Sequence, residues 1–427
     1  MSKNIFYIDA DQFEKEVLQS ERPVIVDFFS DDCPPCDVLA PIYEKMADKY
    51  GEFIKFIKIH RQQNREFASN LGVVSSPTVL FYQNGQEVGE RLNGFMTKPQ
   101  VRLAIEAILG EVIPPSEPGE VKCDVLILGA GPAGLSAAIY AARAKLKVVV
   151  VDASVPGGQA ATTYHIANYP GTPGVIRGPE LTANMREQAL AFGSRIDDLK
   201  EIFAVDLSGD IKTVRTEDTI YKARSVIIAV GAKPRKLDAN GADEFKGRGV
   251  HYCATCDGAM YEGRKVVVIG GGNSAVEEAI FLTRFASHVT VIHQFDNFQA
   301  SRTAQEELLA NDKVDVIWDS EVRAVNGLEH SLQNVVIENI KSHDFSEVPT
   351  DGAFVYIGFQ PDSDWFKDQI LLDANGYIAA GEDTATSLPG IFAAGDIRTK
   401  PLRQVVTAAA DGAVAAVMAE KYLLSSK

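Results

Sequence analysis

Four of the five cysteines fall into two C-x-x-C pairs, Cys33/Cys36 and Cys253/Cys256. The first pair follows an apolar segment and begins a segment with helical spacing, and a helix N-terminus lowers the pKa of a thiol. We therefore expect Cys33 to be a nucleophile and Cys36 to resolve the mixed disulfide that it forms. The second pair precedes another apolar segment and is followed by Asp257, a carboxyl group that could shuttle the proton of thiolate chemistry. A dithiol at this place could accept electrons from a flavin.

A structural zinc site is the alternative reading of two C-x-x-C pairs. In such sites the gap between the pairs is about 15–20 residues, whereas here more than a domain of chain lies between them. No further ligand cluster accompanies either pair, so we expect no metal. The remaining cysteine, Cys123, stands alone at the start of a strand and is expected to be a buried small hydrophobic residue.

The first of two glycine-rich turns has the spacing of a dinucleotide-binding loop. It contains Gly129, Gly131 and Gly134, follows a predicted strand over 123–128 and opens an alanine-rich helix that ends near residue 144. The spacing predicts a pyrophosphate against backbone N–H groups at the helix N-terminus. A second strand over 148–151 ends at Asp152, where an acidic group hydrogen-bonds the adenosine ribose.

The second glycine-rich turn repeats this pattern with Gly270, Gly272 and Ala275. We predict a strand over 266–269, a helix over 276–285 and a second strand over 289–292, which ends at His293. An NADP site needs arginines after that strand and an NAD site usually has Asp or Glu. The segment that begins at His293 supplies neither clearly. The part of the motif that would bind the pyrophosphate is therefore intact, whereas the part that would distinguish the two riboses is ambiguous.

The elements around these motifs form three blocks of an α/β protein. The first block ends near residue 109 and alternates strands over 23–29, 53–59 and 78–82 with helices over 36–50 and 101–109. Asn84-Gly85 is a hairpin turn. Residues 110–120 are rich in Pro, Gly and charge and are expected to form a stiff, extended linker. The second and third blocks are the two dinucleotide units.

Composition excludes several other classes of protein. The 427 residues include 42 Lys and Arg against 58 Asp and Glu, a net charge of −16. This acidity disfavours nucleic acid or an anionic membrane as the main partner. No secretion signal or apolar stretch of membrane-spanning length is recognisable, so we expect a soluble protein of the reducing cytoplasm.

On these motifs the chain resembles a known family. Residues from about 121 onward resemble low-molecular-weight thioredoxin reductases, and residues 1–109 resemble thioredoxin, fused at the N-terminus. The matching reductase motifs include the two glycine turns, Gly157-Gly-Gln159, Asn168-Tyr-Pro-Gly171, Cys253-Ala-Thr-Cys-Asp257, Pro389-Gly-Ile-Phe-Ala-Ala-Gly-Asp396 and Arg403-Gln404.

The resemblance implies a domain order and a homodimer. A thioredoxin fold is followed by two tandem Rossmann-like domains, the second inserted into the first. The FAD domain would comprise 121–236 and 357–427, and the nicotinamide domain, which carries the redox dithiol, would comprise 237–356.

The resemblance also implies roles for individual residues. FAD would be held by residues of the first glycine turn and of three later segments: Gly129, Gly131, Gly134, Asp152, Gly158, Gln159, Asn168, Gly395, Asp396, Arg403 and Gln404. The nicotinamide nucleotide would be held by Gly270, Gly272, Ala275 and His293. In the thioredoxin-like block, Asp27 would be the buried carboxyl below the dithiol and Pro77 the cis-proline. Catalysis would rest on Cys253, Cys256, Asp257, Cys33, Cys36, Asp27 and Pro77.

Two departures from the family leave alternatives open. Asp31-Asp32 stands before Cys33, where thioredoxin has tryptophan, and this suits one dedicated client, such as a peroxiredoxin. The family's three NADPH-binding arginines are replaced by Gln294, Phe295 and Gln299, which argues against a strong preference for NADPH and leaves NADPH, NADH and ferredoxin open as donors. We expect an FAD-dependent disulfide reductase that passes electrons from NAD(P)H to its attached thioredoxin-like domain, in cis or between subunits. The alternatives are a dedicated peroxiredoxin reductase and a ferredoxin-dependent reductase.

Overall fold

The computed structural model describes residues 4–31, 33–73, 75–94, 96–110, 118–163, 166–246, 249–328 and 331–425. The chain divides into two compact units. The first comprises Met1–Met96, Gln100–Gly110 and Pro234–Phe359, and the second comprises Thr97–Pro99, Glu111–Lys233 and Gln360–Lys427. Both contain sheets with helices packed against them, as the α/β prediction requires.

The elements in chain order have the following bounds. The strands are β1 (Ile5–Tyr7), β2 (Val24–Phe29), β3 (Lys55–His60), β4 (Thr78–Gln83), β5 (Gln86–Glu87), β6 (Leu92–Asn93), β7 (Gly119–Leu128), β8 (Val148–Val151), β9 (Arg195–Asp197), β10 (Ile202–Asp206), β11 (Lys212–Thr216), β12 (Thr219–Ile228), β13 (Ala232–Pro234), β14 (Val250–His251), β15 (Lys265–Ile269), β16 (His288–Ile292), β17 (Val314–Ile317), β18 (Ser320–Leu328), β19 (Ser331–Asn339), β20 (Phe345–Pro349), β21 (Gly352–Val355), β22 (Phe359–Pro361) and β23 (Ile391–Ala393). The helices are α1 (Pro34–Tyr50), α2 (Arg65–Asn70), α3 (Lys98–Leu109), α4 (Pro132–Arg143), α5 (Gly178–Ala191), α6 (Ala254–Asp257), α7 (Asn273–Leu282), α8 (Arg302–Leu309) and α9 (Val405–Ser425). Short helical turns cover Ala10–Gln12, Glu14–Leu18, Gly158–Thr162, Gly258–Tyr261 and Gly395–Ile397.

The N-terminal sheet has the strand order β1-β3-β2-β4-β5, with β6 also paired to β4. Strands β1, β3 and β2 are parallel, and β4 runs antiparallel to β2. The apolar residues of β2 are buried because helices and neighbouring strands cover both faces of this central strand. Asn84 and Gly85 both have positive φ and join β4 to β5, which confirms the predicted hairpin turn.

The sheet of the second unit has the order β10-β11-β12-β7-β8-β9, with β23 also paired to β12. Strands β7, β8, β9 and β23 run parallel to their partners. Alternate residues of β7 enter different cores: Val125 and Ile127 pack with α4 and α9, whereas Leu126 and Leu128 pack with Val214 and neighbours. This burial of both faces explains why the sequence of the strand is apolar throughout.

The second dinucleotide block contains a five-stranded parallel sheet of order β14-β21-β15-β16-β17. Strands β18, β19 and β20 form a separate antiparallel sheet. Helix α7 begins at Asn273, three residues before its predicted start, because Gly272 already has the extended conformation of an N-cap.

The predicted linker over 110–120 ends too late. Strand β7 begins at Gly119, and Gly119 and Glu120 pair with Thr219 and Ile220 of β12. Tertiary pairing thus draws two residues into a strand that composition alone assigns to a linker. Residues 111–117 of this segment lie outside the described residues. In the described part of the chain every helix is too short or too polar to cross a membrane.

Candidate active-site elements

The first dithiol lies at the N-terminus of α1. Cys33 caps the helix, and its sulfur accepts a hydrogen bond from the backbone N–H of Cys36 at 3.3 Å. The two cysteines form a disulfide, with Cys36 the more buried of the two. The unpaired N–H groups and the dipole of the helix favour a negative charge here, so reduction would leave Cys33 as a stabilised thiolate.

A buried acid–base pair lies on the strand that precedes this dithiol. Asp27 Oδ2 is 3.2 Å from Lys58 Nζ, and both side chains are buried. Burial raises the pKa of Asp27, and the charge of Lys58 only partly opposes it. Within the described residues the other oxygen, Oδ1, has no hydrogen-bond partner. Burial therefore makes this carboxyl group a better proton acceptor than a carboxyl group in water.

Pro77 and a polar rim border the same dithiol. The Ser76–Pro77 peptide bond is cis, and Cys33 Sγ lies 3.5 Å from the Ser76 carbonyl oxygen. Arg61 Nε donates to Ser76 Oγ at 2.8 Å, and His60 Nε2 lies 3.0 Å from Asp31 Oδ2. The sequence analysis singles out neither His60 nor Arg61, because their approach to the dithiol depends on the pairing of β2 with β3.

The second dithiol lies at the start of α6. Cys253 is disulfide-bonded and precedes the helix, and Asp257 closes it with its N–H donating to the Cys253 carbonyl at 3.2 Å. Asp257 Oδ2 is 3.0 Å from His251 Nδ1, and His251 is buried. The side chain of Cys256 lies outside the described residues. No sequence motif points to His251, and the sequence analysis does not single it out.

The first glycine turn has the shape that a dinucleotide-binding loop requires. A Cβ on Gly134 would come 1.8 Å from the Gly129 carbonyl oxygen, so only glycine permits this packing of α4 against the turn. Gly131 caps α4, and Gly158 of a later segment lies against it. Asp152 accepts hydrogen bonds from the Ala130 N–H and from Ser154 N and Oγ. Its carboxylate therefore also organises the turn itself.

The other residues assigned to FAD lie in the same unit. Asn168 Nδ2 donates to Gln404 Oε1 at 3.2 Å, which brings two of them together. Gln159 lies in the helical turn after Gly158. Gly395 and Asp396 open the short turn Gly395–Ile397, and burial raises the pKa of Asp396.

A salt-bridge cluster that sequence reasoning missed supports the Gly395 turn. Asp411 on α9 accepts from the Gly395 N–H at 3.0 Å, from Arg398 Nη2 at 2.9 Å and from Lys400 Nζ at 2.7 Å. These groups are 11 to 16 residues from Asp411 in the chain, and no local motif links them. The cluster fixes the backbone next to Asp396.

The residues present fit a bound dinucleotide in this unit. Among the described residues, the buried Asp396 Oδ1 and Arg403 Nε have no hydrogen-bond partner. Buried polar atoms are nearly always paired, so these two atoms indicate a polar ligand. Together with the glycine turn at a helix N-terminus, they meet the chemical needs of FAD.

The second glycine turn retains its backbone geometry. Gly270 has φ +133°, Gly272 caps α7 and Ala275 is buried under the turn. The ring of His293 lies on this turn, because a Cβ on Gly271 would come 2.4 Å from its Nε2 atom. His293 Nε2 donates to the Asn297 carbonyl at 3.1 Å, and within the described residues Nδ1 has no partner. Burial lowers the pKa of His293, so the ring is neutral.

Comparison with known proteins identifies two families. Residues 123–412 match the pyridine nucleotide-disulphide oxidoreductase family, and residues 4–107 match the thioredoxin family. A 34.2 kDa protein in the rubredoxin operon of Clostridium pasteurianum is 48% identical over 304 residues, covering 71% of this chain and 98% of that protein. The thioredoxin reductase of Peptoclostridium acidaminophilum is 45% identical over 306 residues, covering 70% of this chain and 96% of that protein.

A solved structure gives the same result. The thioredoxin reductase of Lactococcus lactis is 40% identical, with a TM-score of 0.69 over 71% of this chain and 99% of that one. The chain belongs to the pyridine nucleotide-disulphide oxidoreductase family and is a flavin-dependent disulfide oxidoreductase. Within that family it is a thioredoxin reductase homologue that carries a thioredoxin domain at its N-terminus, as the sequence resemblance predicts.

Proposed function

We propose that this chain joins a thioredoxin reductase to its own electron acceptor. Electrons pass from NADH through FAD to Cys253/Cys256, then to Cys33/Cys36 and finally to an external disulfide. The observation that carries the proposal is the contact between the two dithiol segments. Helices α1 and α6, which follow Cys33 and Cys253, are in contact, and a Cβ on Gly94 would come 2.7 Å from the Asp257 Oδ1 atom.

The domain order is part of the proposal. We assign 121–236 and 357–427 to the FAD domain and 237–356 to an inserted nicotinamide domain. The pairing of β23 with β12 supports this order, because one sheet then takes strands from both sides of the intervening segment.

Bound FAD would link a two-electron nicotinamide donor to a disulfide. The backbone of Gly129, Gly131 and Gly134 would hold its pyrophosphate, with Asp152 at the adenosine ribose. Gly158, Gln159 and Asn168 would lie near the flavin ring. Gly395, Asp396, Arg403 and Gln404 would bind the ribityl chain and the pyrimidine end. Gly270, Gly272, Ala275 and His293 would bind the nicotinamide nucleotide.

The exchange between the two dithiols conserves electrons and protons. One thiolate of the reduced Cys253/Cys256 pair attacks Cys33 Sγ, and the Cys33–Cys36 bond breaks with its electron pair on Cys36. The second thiol of the reductase pair then displaces Cys33 and closes the Cys253–Cys256 disulfide. Two electrons pass to the carrier, which is left with a Cys33 thiolate and a Cys36 thiol. Asp257 takes up the protons of the two reductase thiols one at a time and returns each to solvent. Asp27 supplies the one proton that Cys36 gains and is reprotonated from solvent, so the second released proton stays in solvent.

The donor we propose is NADH. The exposed Gln294 and Phe295 provide no cation for a 2′-phosphate. The neutral His293 donates from Nε2, so its Nδ1 atom can accept a hydrogen bond from a ribose hydroxyl group but cannot donate one to a phosphate. Ferredoxin is the second candidate donor, because the missing arginines favour it, but the intact glycine turn favours a nucleotide.

The N-terminal domain serves a narrower range of disulfide clients than a general thioredoxin does. Asp31 Oδ2 and His60 Nε2 lie 3.0 Å apart beside Cys33, where an aromatic side chain would suit many clients. This polar rim favours one dedicated partner, and a peroxiredoxin is the alternative acceptor that we keep.

An anaerobic titration of the FAD-loaded chain tests the relay. The wild type should consume three equivalents of NADH, one for FAD and one for each disulfide, whereas Cys33→Ser/Cys36→Ser should consume two. Equal consumption by the two proteins would remove the N-terminal dithiol from the path. Reduction of the flavin by reduced ferredoxin but by neither nucleotide would overturn the nicotinamide donor.

Mixing two inactive variants tests transfer between subunits of the homodimer that we propose. Cys33→Ser/Cys36→Ser and Cys253→Ser/Cys256→Ser each lack one dithiol. If transfer occurs between subunits, co-expression should restore turnover of an external disulfide. Absence of turnover, with heterodimers verified by mass, would assign transfer to a single chain.

A further inference from the structure

A buried chain of three side chains lies behind the second dithiol. His251 is 3% exposed and Tyr261 is 4% exposed. The His251 ring stacks on Phe354, with centroids 5.2 Å apart and planes at 27°. Its Nδ1 atom is 3.0 Å from Asp257 Oδ2, and its Nε2 atom is 2.6 Å from the Tyr261 hydroxyl. The ring is therefore held on its face and at both nitrogens.

The contacts define one tautomer for the neutral ring. Burial raises the pKa of Tyr261, so its hydroxyl group keeps its proton and donates to Nε2. The ring proton then lies on Nδ1 and donates to Asp257 Oδ2. The order of donors runs from Tyr261 through His251 to the Asp257 carboxylate.

Tyr261 is itself fixed by the strand beneath it. A Cβ on Gly352 would come 2.3 Å from the tyrosine ring, so this ring packs directly on the backbone of β21. Strand β21 also pairs with β14, opposite His251. The two rings are therefore tied to the same strand.

The two oxygens of Asp257 have different surroundings. Oδ2 faces His251, whereas a Cβ on Gly94 of the thioredoxin domain would come 2.7 Å from Oδ1 and 3.9 Å from Oδ2. One oxygen is thus held by the interior of the nicotinamide block, and the other is directed toward the carrier domain.

We propose that His251, supported by Tyr261, is a positioning residue that orients the Asp257 carboxyl group for proton exchange with the dithiols. The proposal rests on the relay proposed above, in which Asp257 takes up the protons of the Cys253/Cys256 pair. A charge-assisted hydrogen bond fixes the geometry of a carboxylate. Loss of the Nδ1–H donor would therefore free the Asp257 carboxylate to rotate.

Other ionisable groups surround His251, Tyr261 and Asp257, and a test substitution should leave them unchanged. The charges of Arg264 and Asp351 also affect the pKa of Tyr261. The charges of Asp257 and Glu278 affect the pKa of Tyr356. The Tyr356 hydroxyl accepts from the Ala254 N–H of the dithiol helix at 2.7 Å. Substitutions at His251 leave all of these groups unchanged.

The test follows the arrival of electrons at Cys33 in the full-length, FAD-loaded chain. NADH is added anaerobically between pH 5.5 and 9, samples are quenched with iodoacetamide, and alkylation of Cys33 is measured by mass spectrometry. We expect His251→Leu to slow the transfer about tenfold at pH 7 and to displace the acid limb of its pH profile. His251→Asn can place an amide donor near the Nδ1 position and should restore the limb.

Two controls separate positioning from folding. His288 also pairs with an aspartate, Asp315 Oδ2 at 2.9 Å, but on strand β16 of the same block. His288→Leu should transfer electrons to Cys33 at the wild-type rate and with the wild-type acid limb of the pH profile. Flavin absorbance and circular dichroism of each variant report folding.

The outcomes distinguish this inference from the function beneath it. If Cys33 of the wild type is never alkylated after NADH is added, the relay itself fails. Suppose instead that the wild type transfers electrons to Cys33. If His251→Leu then has the same acid limb of the pH profile as the wild type, or if His251→Asn does not restore the wild-type limb, His251 does not position Asp257.

Discussion

Gly94 lies against Asp257: a Cβ at position 94 would come 2.7 Å from the Asp257 Oδ1 atom. Gly94 is buried, has φ +66°, and donates its N–H to the carbonyl of the cis-proline Pro77 at 3.0 Å. One backbone position therefore links the cis-proline loop of the carrier to the carboxyl group beside the second dithiol. The absence of a side chain at position 94 allows this approach.

Gly94→Ala should disrupt the contact between the carrier and the reductase dithiol. The added methyl group meets the Asp257 carboxylate, so we expect electron transfer from Cys253/Cys256 to Cys33 to slow at least tenfold, while flavin reduction by the nucleotide is unchanged. Both rates are measured by stopped-flow absorbance and by alkylation of Cys33.

Gly89→Ala is the matched control. Gly89 has φ +70°, and a Cβ there meets only Ile108 Cδ1 at 3.9 Å and Cγ1 at 4.0 Å. Both variants carry the backbone strain of alanine at positive φ, about 1 kcal/mol, but only Gly94→Ala meets Asp257. Equal slowing in the two variants would mean that strain, not the contact, is responsible.

Arginines at the ribose end of the second glycine turn should change the nucleotide preference. In Gln294→Arg/Gln299→Arg, two cations can pair with a 2′-phosphate, each charge-assisted bond contributing roughly 1.5–3 kcal/mol. We expect the KM for NADPH to fall at least tenfold and the KM for NADH to stay within about threefold. Steady-state reduction of an external disulfide at fixed ionic strength provides both values.

A positive charge placed elsewhere on the same block controls for nonspecific electrostatic attraction of the nucleotide. Gln333 is exposed on β19, and Gln333→Arg should leave both KM values unchanged. If the double variant binds NADPH no better than this control, His293 and its neighbours do not read the ribose.

The strands and glycine turns could be predicted because their signals are local. The run of four valines in β8 is a strand at the predicted bounds, and Gly129 to Gly134 form the predicted turn. His251 could not be found in this way, because its position depends on the pairing of β14 with β21. That pairing places His251 opposite Phe354, which is more than 100 positions further along the chain. Asp411 was missed for the same reason, since its partners come from a separate loop.

Glu278 on α7 should make the stability of the second dinucleotide block depend on pH. Burial, aided by the charge of Glu277, raises the pKa of Glu278 to about 7. The folded state then binds this proton more tightly than the unfolded state, so the free energy of unfolding is highest at low pH and falls as the pH rises through 7. Glu278→Gln should remove up to about 3 kcal/mol of this loss at pH 9 and change little at pH 5.

Hydrogen exchange of the α7 amides, corrected for intrinsic rates, measures this difference. Glu307→Gln on the exposed face of α8 is the control and should show no pH-dependent change. A stabilisation by Glu278→Gln of the same size at pH 5 and pH 9 would contradict the assigned ionisation.

Asp411 should be needed for retention of FAD, although the resemblance assigns it no role. Burial alone would raise the pKa of Asp411, but hydrogen bonds from Arg398 and Lys400 hold it below its usual value. The carboxylate thus keeps its charge at neutral pH and holds the Gly395 N–H, which adjoins Asp396. The stability that it contributes is present at neutral pH and is lost only as the pH falls through its lowered pKa.

Asp411→Asn keeps the size of the side chain but leaves Arg398 and Lys400 without their carboxylate. We expect the dissociation constant of FAD, measured by recovery of flavin fluorescence on dilution, to rise at least tenfold at pH 7.5. The exposed Asp368 lies in the same unit, and Asp368→Asn should retain FAD as the wild type does. Because Asp411→Asn lacks the titrating carboxyl group, its FAD affinity should also depend less on pH between 5 and 3. Tight binding by Asp411→Asn at pH 7.5 would show that the Gly395 turn holds its shape without the cluster.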